Sequence, residues 1–567
     1  MGALHSPVAR LLSARSPTPL LLLCRSRRWD LLIRLAVVAS IALFVFMQAT
    51  KRGLGLFGDS GDYVECARSV LRGEGMLIVA PDGTRRPMAQ FPPLYPLLIA
   101  AAATLVTGDD LVAARALHGF CLVVSVILVG WITYRLGRSA HFAAGAALLV
   151  ALSGGFQGVH VRMYSEACFV ALVLAGVALV YEALARREVG VTHRPWLVAA
   201  ALALGAAALA RYAGMYFIAT GAIAIAFLGR WRVGRRVRLA DAVIFAAIAA
   251  LGLGLWFVRN RFVAGQPARH LAVHPPGAAQ FQQLWAALSA WSFPIGAPAV
   301  TGTLAAAFAV LLVTVTVYGL RRRAPIREQF TSGVAGAAMG YVLFLLVSFT
   351  FADAAMPFDY RILIPMLPLI VIALASGASA LLRRLARSRP AAARRAGAAA
   401  TLLIATMALL SAFTVGQFAN NAGTKGLGYA ASTWRTSPTL KAVRRLPREC
   451  VVWSNAPDAI RLLLGREARP VPMQRFRTLG RPNMRRFNEI RAIGETMHGR
   501  GAGAVVWFDL VDRSDLLVGE TIVVNRLPVG SPMKLPDGRV YLFDPTPPAT
   551  APTTDATTAP VTTRAQE

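Results

Sequence analysis

Apolar stretches recur along the first 415 positions of the chain and alternate with short polar turns. Each approaches the roughly 20 residues that a helix needs to cross a hydrocarbon core about 30 Å thick. Eleven such stretches predict eleven transmembrane helices, and the odd number places the two ends of the chain on opposite sides of a membrane. The predicted spans are 31–48, 111–134, 141–157, 167–185, 196–210, 213–229, 240–258, 301–320, 331–349, 362–382 and 396–415.

One further apolar segment, 94–107, tests this assignment. Its 14 residues are too few for a crossing. Counting it as a span would also move every later arginine cluster to the opposite side of the membrane. We therefore predict a helix that lies on, or dips into, the outer face of the bilayer.

The distribution of charge supports the same orientation. Only 16% of the 567 residues are charged, against about 25% in a soluble domain, which excludes a soluble cytosolic enzyme. Of the arginines behind the net charge of +32, 20 lie in turns predicted to be cytoplasmic and six in the short outer loops. This positive-inside pattern makes anionic lipid, and not nucleic acid, the expected counter-charge. It predicts a multi-pass protein of the inner (plasma) membrane with an uncleaved, cytoplasmic N-terminus.

The pattern also divides the chain into regions. Residues 1–30 form a basic cytoplasmic segment, 31–415 the transmembrane bundle with a long first outer loop at 49–110, and 416–545 a small extracytoplasmic α/β domain. The tail, 546–567, is rich in Pro, Thr and Ala, a composition typical of disorder. Runs that favour strands in the outer domain are 451–453, 504–508, 521–524 and 540–543.

The first outer loop carries candidate chemistry. Asp59, Asp62 and Glu65 place three carboxylates within seven residues beside a membrane surface, where anionic lipid would repel them unless a cation, a substrate amine or arginines compensate. The apolar spacing predicts a short amphipathic helix over 62–71, with Asp59 projecting from its N-terminus. The alternative is that Asp59 is only an N-cap, a role worth about 1 kcal/mol.

Further along, the loop completes a recognisable pattern: Asp59, Tyr63, Glu65, Ala67, Arg68, Gly73, Gly75 and the run Phe91-Pro92-Pro93-Leu94-Tyr95-Pro96. It resembles the first outer loop of the GT-C superfamily of membrane glycosyltransferases. The similarity is to the branch that holds the protein O-mannosyltransferases and the aminoarabinose transferase of lipid A. Ser60 departs from the family's Asp-Glu pair, which leaves the role of the second acid open, with Asp62 as a substitute.

The resemblance implies a bundle with an outer C-terminal domain and a sugar donor linked through phosphate to a polyprenyl lipid. The acceptor would be an extracytoplasmic protein, lipid or glycan. Asp59 would be the general base of an inverting transfer, Glu166 would orient the sugar or acceptor, and outer arginines would hold the lipid phosphate. The candidate substrate-binding residues are Asp62, Tyr63, Arg162, Arg211, Tyr212, Arg259, Asn260, Asp359 and Arg361.

Several readings remain open beside this one. Glu166 has the spacing of a helical ion pair with Arg162, and each outer arginine can simply reach lipid headgroups. A divalent cation is possible, although His270 and His274 lack an acidic partner and no ligand set is evident. The alternative function is a transporter or flippase of lipid-linked sugars. The near absence of charge within the spans favours chemistry at the membrane surface.

Overall fold

The computed structural model of the chain is mostly helical. It describes residues 19–80, 83–106, 108–229, 233–265, 273, 275–292, 313, 316, 324–351, 358–475 and 481–545. Contacts between residues divide the chain into two compact units, a helical bundle that ends at Thr433 and a smaller unit that begins at Trp434.

Long helices make up most of the first unit. The described elements are α1 (Pro19–Ala49), α2 (Gly58–Leu71), β1 (Leu77–Val79), β2 (Arg85–Pro87), α3 (Leu94–Val106), α4 (Asp110–Gly137), α5 (Ala140–Ala151), α6 (Gly154–His160), α7 (Glu166–Glu188), α8 (Arg194–Ala210), α9 (Gly214–Phe227), α10 (Arg235–Ala264), α11 (Ala278–Ser292), α12 (Ile326–Phe351), α13 (Tyr360–Leu363), α14 (Met366–Ser388) and α15 (Pro390–Lys425). The strands β1 and β2 form an antiparallel hairpin in the first outer loop.

Within the described residues, seven helices are long and apolar enough to cross a membrane: α1, α4, α7, α10, α12, α14 and α15. Each coincides with a predicted span. The predicted span 141–157 is a helix pair, α5 and α6, that bends by 63°. The predicted spans 196–210 and 213–229 correspond to the shorter α8 and α9, whereas most of 301–320 lies outside the described residues.

The helix α7 lies at the centre of the bundle, with 72% of its apolar window buried. Small residues let the neighbouring helices approach closely. A Cβ added at Gly205 of α8 would lie 2.7 Å from the carbonyl oxygen of Ala249 in α10, so only glycine fits at that crossing. The segment 94–107, which is too short for a predicted span, contains the 13-residue α3, which buries Tyr95 and Ile99.

The second unit has the predicted α/β character. A short α16 (Ser432–Thr436) lies at the boundary between the two units in the chain. The elements that follow are α17 (Pro438–Arg445), β3 (Val451–Ser454), α18 (Pro457–Leu464), β4 (Ala468–Pro470), α19 (Arg486–Arg500), β5 (Gly503–Phe508), α20 (Glu520–Val524), β6 (Met533–Leu535) and β7 (Gly538–Leu542). The five strands form one sheet of order β4-β3-β5-β7-β6, in which β3 pairs in parallel with β4 and β5 while β7 pairs antiparallel with β5 and β6.

One predicted strand of this unit is wrong. The β-branched run 521–524 lies in the helix α20. Its Glu520 accepts hydrogen bonds from Arg539 Nε at 2.6 Å and from the Tyr541 hydroxyl at 3.0 Å, and Val523 is fully buried. These tertiary contacts outweigh the strand propensity of the run.

Candidate active site

The helix α2 begins at Gly58, four residues before the predicted start, so Asp59 lies in its first turn. Phe57 is the N-cap residue, and its backbone N–H donates to Ser60 Oγ at 3.0 Å. The Ser60 hydroxyl in turn donates to the Met163 carbonyl at 3.1 Å. The alternative role of Asp59 as an N-cap is therefore wrong, and its carboxylate is available for other contacts.

That carboxylate pairs with an arginine from a distant part of the chain. Arg361 Nη2 lies 2.6 Å from Asp59 Oδ2, and Arg361 Nε donates to Glu166. Arg211 Nη1 lies 2.8 Å from the same oxygen of Glu166. Asp59, Arg361, Glu166 and Arg211 thus form one continuous network, which we call the acid–arginine network.

Four separate elements supply this network. Asp59 lies in the first turn of α2, Glu166 is the first residue of α7, and Arg211 directly follows α8. The N-terminal end of α7 carries a partial positive charge, which favours Glu166 there. Arg361 lies in α13, whose N-cap Asp359 accepts hydrogen bonds from the backbone N–H groups of Arg361 and Ile362 at 3.0 and 3.3 Å.

The two acids of the network differ in exposure. The Asp59 side chain is 31% exposed and that of Glu166 is 1% exposed, while Arg211 and Arg361 are 20% and 22% exposed. A molecule arriving from solvent therefore meets Asp59 and both guanidinium groups, whereas Glu166 lies beneath them.

The formal charges of the network cancel. Burial by itself would lower the pKa of Arg361, but Glu166 and Asp59 outweigh burial and raise that pKa above its ordinary value. The guanidinium group lies 4.1 Å from the centre of the Tyr164 ring. Burial raises the pKa of Tyr164 to about 12, against the opposing charge of Arg361. Arg361 is therefore charged and Tyr164 neutral near pH 7.

Tyr63, on the same helix as Asp59, is buried among aromatic side chains. Its ring packs at 4.9 Å from Phe91 and edge-on at 4.8 Å from Tyr95, and its hydroxyl lies 3.4 Å from Ser165 Oγ. Burial raises the pKa of Tyr63, and Asp59 adds to this effect. Ser165 also accepts a hydrogen bond from Arg211, which links Tyr63 to the network.

A second group of predicted site residues holds the segment 88–90 of the first outer loop. These contacts are Gln90 to Asp62 at 2.6 Å, Arg259 to the Met88 carbonyl at 2.8 Å, Arg259 to Asn260 at 2.9 Å, and Tyr212 and Asn260 to the Ala89 carbonyl at 3.2 and 3.5 Å. Four predicted substrate-binding residues, Asp62, Tyr212, Arg259 and Asn260, therefore fasten this loop beside the network.

Arg162 has a separate environment. It donates to the Gly158 carbonyl at 2.8 Å and lies over the rings of Phe57 and Tyr360. The alternative pairing of Arg162 with Glu166 is wrong, because Glu166 reaches across to Arg211 and Arg361 instead.

The sequence did not single out Tyr164, Ser165 or Ser60 as parts of this site. Tyr164 and Ser165 directly precede Glu166, and this adjacency was the available signal. In the part of the chain that the structure describes, no cluster of three or more His, Cys, Asp or Glu side chains is arranged to hold a metal ion. His270 and His274 lie outside the described residues.

Comparison with known proteins identifies related sequences and folds. Residues 77–258 match the family model described as dolichyl-phosphate-mannose-protein mannosyltransferase. This segment runs from β1 into α10 and contains Glu166 and Arg211, but not Asp59 or Arg361. No curated protein matches the sequence.

Comparison with solved structures finds matches that cover most of the chain. The oligosaccharyltransferase of Archaeoglobus fulgidus in complex with Zn and sulfate is 14% identical, with a TM-score of 0.51 over 83% of this chain and 68% of that protein. ArnT from Cupriavidus metallidurans bound to undecaprenyl phosphate is 15% identical, with a TM-score of 0.47 over 89% of this chain and 97% of ArnT. At 14% identity, the likeness to the oligosaccharyltransferase establishes a shared fold.

Proposed function

We propose that the chain is a membrane glycosyltransferase of the GT-C type, and that it transfers a sugar from a polyprenyl-phosphate-linked donor to an extracytoplasmic acceptor. The description of the matching family names dolichyl-phosphate-mannose, a sugar carried on a lipid phosphate. This supports a polyprenyl-phosphate-linked sugar as the donor. The arginine distribution supports the orientation, with the acid–arginine network on the outer side. The acceptor is a protein, a lipid or a glycan that reaches this face.

The acid–arginine network is the observation that carries the proposal. It gathers side chains from four distant elements, and it presents one partly exposed carboxylate beside two partly exposed guanidinium groups. A transfer from a lipid phosphate needs the same combination: a base for the acceptor and cations for the leaving phosphate.

Asp59 acts as the general base. It takes the proton of the acceptor as the acceptor attacks the anomeric carbon, and the bond to the lipid phosphate breaks on the opposite side, which inverts the anomeric centre. The phosphodiester donor carries one negative charge, and the released phosphomonoester carries up to two. As Asp59 loses its negative charge, Arg361 becomes available to stabilise the charge that the phosphate gains.

Arg361 and Arg211 bind the phosphate. A guanidinium group has five N–H donors in a planar fork. Arg361 directs Nη2 to Asp59 and Nε to Glu166, and Arg211 directs Nη1 to Glu166 and Ser165, so N–H groups on both remain for phosphate oxygens. Buried Glu166 positions the two arginines. Arg259, which holds the 88–90 segment, positions the loop.

Substitution of Asp59 by Asn tests this assignment. Asn keeps the shape of the side chain and a hydrogen-bond acceptor for Arg361 but cannot take the proton, so we expect transfer to fall on the order of 10²-fold or more. The measurement is release of lipid phosphate by purified protein from a panel of polyprenyl-phosphate sugars with defined acceptors.

Glu65→Gln is the matched control. Glu65 lies on the same helix and is 24% exposed, but it pairs with Arg72 at 3.4 Å. We expect this variant to retain near-normal transfer. Near-normal transfer by a folded Asp59→Asn protein would exclude the general-base role.

A further inference from the structure

A second polar site lies at the other end of the bundle. A cavity of about 890 Å³ opens where α4 and α7 end and α12 begins. The helix α7 carries Glu166 at its first residue and Glu188 at its last, and at 1.5 Å per residue these ends lie about 33 Å apart. The cavity is therefore separate from the acid–arginine network.

Arginines dominate the polar lining of this cavity: Arg135, Arg138, Arg186, Arg187 and Arg327, against Glu182 and Glu188. Two of these arginines have carboxylate partners. Arg135 lies 3.0 Å from Glu182, and Arg187 lies 3.5 Å from Asp241. In the described parts of the chain, Arg138, Arg186 and Arg327 form no ion pair, so the cavity has an excess of positive charge.

Two buried arginine N–H groups beside the cavity lack a hydrogen-bond acceptor within the part of the chain that the structure describes. The Nε atoms of Arg186 and Arg327 are buried and have no hydrogen-bond partner among the described residues. Arg186 also lies 4.4 Å from the centre of the Trp196 ring, a contact that holds the guanidinium plane in place. Burying a donor without an acceptor is costly, and an anion with several oxygens would remove that cost.

Apolar side chains lie beside the arginines. Val189, Val233 and Ile326 line the same cavity, and a volume of this size is within the usual range for ligand sites, about 300–1,000 Å³. A guanidinium group matches the oxygens of a phosphate in two parallel hydrogen bonds. The combination of phosphate-binding forks and apolar walls fits a charged headgroup with the start of its acyl chains.

We propose that this cavity binds a phosphate group carried by an anionic lipid, with Arg138, Arg186 and Arg327 as its ligands. The predicted orientation places it at the cytoplasmic leaflet, where anionic lipids are concentrated. The site differs from the general attraction of surface arginines to lipid, because several arginines line one cavity and two of them have buried Nε atoms without an acceptor in the described ranges.

The test compares phosphatidylglycerol with phosphatidylcholine. Native mass spectrometry of the full-length protein, titrated with each lipid, gives their relative affinities. We expect wild type to prefer phosphatidylglycerol and the double variant Arg138→Gln/Arg327→Gln to bind it at least about tenfold more weakly, since each charge-assisted hydrogen bond lost costs about that much. The control Arg394→Gln/Arg395→Gln removes two exposed arginines of α15 and should leave the preference unchanged.

A second arm separates the source of the phosphate. Calorimetry with inorganic phosphate, on protein in phosphatidylcholine nanodiscs, detects a soluble ligand. Phosphate binding that the glutamine pair abolishes, without a phosphatidylglycerol preference, would retain the anion site but overturn its assignment to a lipid. If wild type and the glutamine pair bind phosphatidylglycerol equally well, and also bind inorganic phosphate equally well, the proposed site is refuted.

Thermal unfolding in phosphatidylcholine checks that each variant is folded. If the glutamine pair is unstable, Arg138→Lys/Arg327→Lys serves instead. Lysine keeps the charge but not the planar fork, so we expect weaker phosphatidylglycerol binding than in wild type. Unchanged affinity in this lysine pair would contradict the proposed guanidinium ligands.

Discussion

At Arg361, one guanidinium group serves two carboxylates of unequal exposure. Asp59 reaches solvent, while Glu166 is buried beneath it and is also held by Arg211. A buried carboxylate with two cationic partners is well suited to fixing geometry, whereas an exposed one can exchange a proton with an incoming molecule. The different environments of these two acids therefore assign them different tasks in the proposed reaction.

Substitution of Glu166 by Gln separates these tasks. The change removes the buried charge that holds Arg211 and Arg361, and breaking such a pair on one side costs about 3 kcal/mol. We expect Glu166→Gln to lower both the thermal unfolding midpoint and transfer. Asp59→Asn, at a partly exposed position, should lower transfer with little change in the midpoint. An unchanged midpoint in Glu166→Gln would contradict the positioning role.

At the scale of single elements, the crossing of α8 and α10 depends on one glycine. A methyl group at Gly205 would collide with the backbone of α10. A methyl group at Gly254 of α10 would meet no other atom of the described residues within 4 Å. We expect Gly205→Ala to lower the thermal unfolding midpoint, since the collision is with backbone that cannot rotate away. Gly254→Ala should leave the midpoint unchanged or raise it, because alanine favours a helix by up to about 1 kcal/mol. Equal midpoints would show that this crossing relaxes freely.

In the second unit, Asp537 in the turn before β7 forms hydrogen bonds to the N-terminal end of α17. Asp537 accepts hydrogen bonds from the hydroxyl of Ser437 and from the backbone and hydroxyl of Thr439, the latter two at 3.0 and 2.6 Å. Burial opposes ionisation of Asp537, but these hydrogen bonds outweigh it and lower its pKa. A carboxyl whose folded-state pKa is lowered stabilises the fold above its unfolded pKa, and this contribution is lost as the pH falls.

Hydrogen exchange of α17 measures this effect. We expect the protection of Pro438–Arg445 to be full at pH 6 and to decrease as the pH drops below about 4, the ordinary aspartate pKa. In Asp537→Asn, protection should be lower at pH 6 and should depend less on pH. A wild-type protection that is constant from pH 6 to pH 3, after correction for the intrinsic exchange rate, would contradict this coupling.

The sequence was informative about elements with strong periodicity and less so about contacts. The long apolar helices, the short helix within 94–107 and three strands of the second unit were predictable because their patterns are local. The start of α2 was missed because Ser60 caps the helix through Phe57 and Met163, a contact that spans 103 residues. The resemblance to GT-C glycosyltransferases agrees with the family model that matches residues 77–258 and with the fold shared with the oligosaccharyltransferase. No local pattern indicated that Arg361, and not Arg259, faces Asp59.

At the scale of the whole molecule, the long helix α15 reports the orientation. Its 36 residues span about 54 Å, with Arg395 near one end and Lys425 at the other. In intact cells we expect the variant Lys425→Cys to react with a membrane-impermeant thiol reagent, and the variant Arg395→Cys not to react. Cys66, Cys121, Cys168 and Cys450 are buried, so these four contribute little background. The reverse result would invert the topology and place the proposed site on the cytoplasmic side.

The acid–arginine network also constrains biogenesis. Ribosomes deliver the chain from its N-terminus, so Glu166 emerges long before Arg361, which follows it by 195 residues. Of the two arginines that pair with Glu166 in the folded protein, only Arg211 is present during that interval. A nascent chain truncated before α13 therefore lacks the residue that joins the two carboxylates, and the network can be completed only after about the first two thirds of the polypeptide have been synthesised.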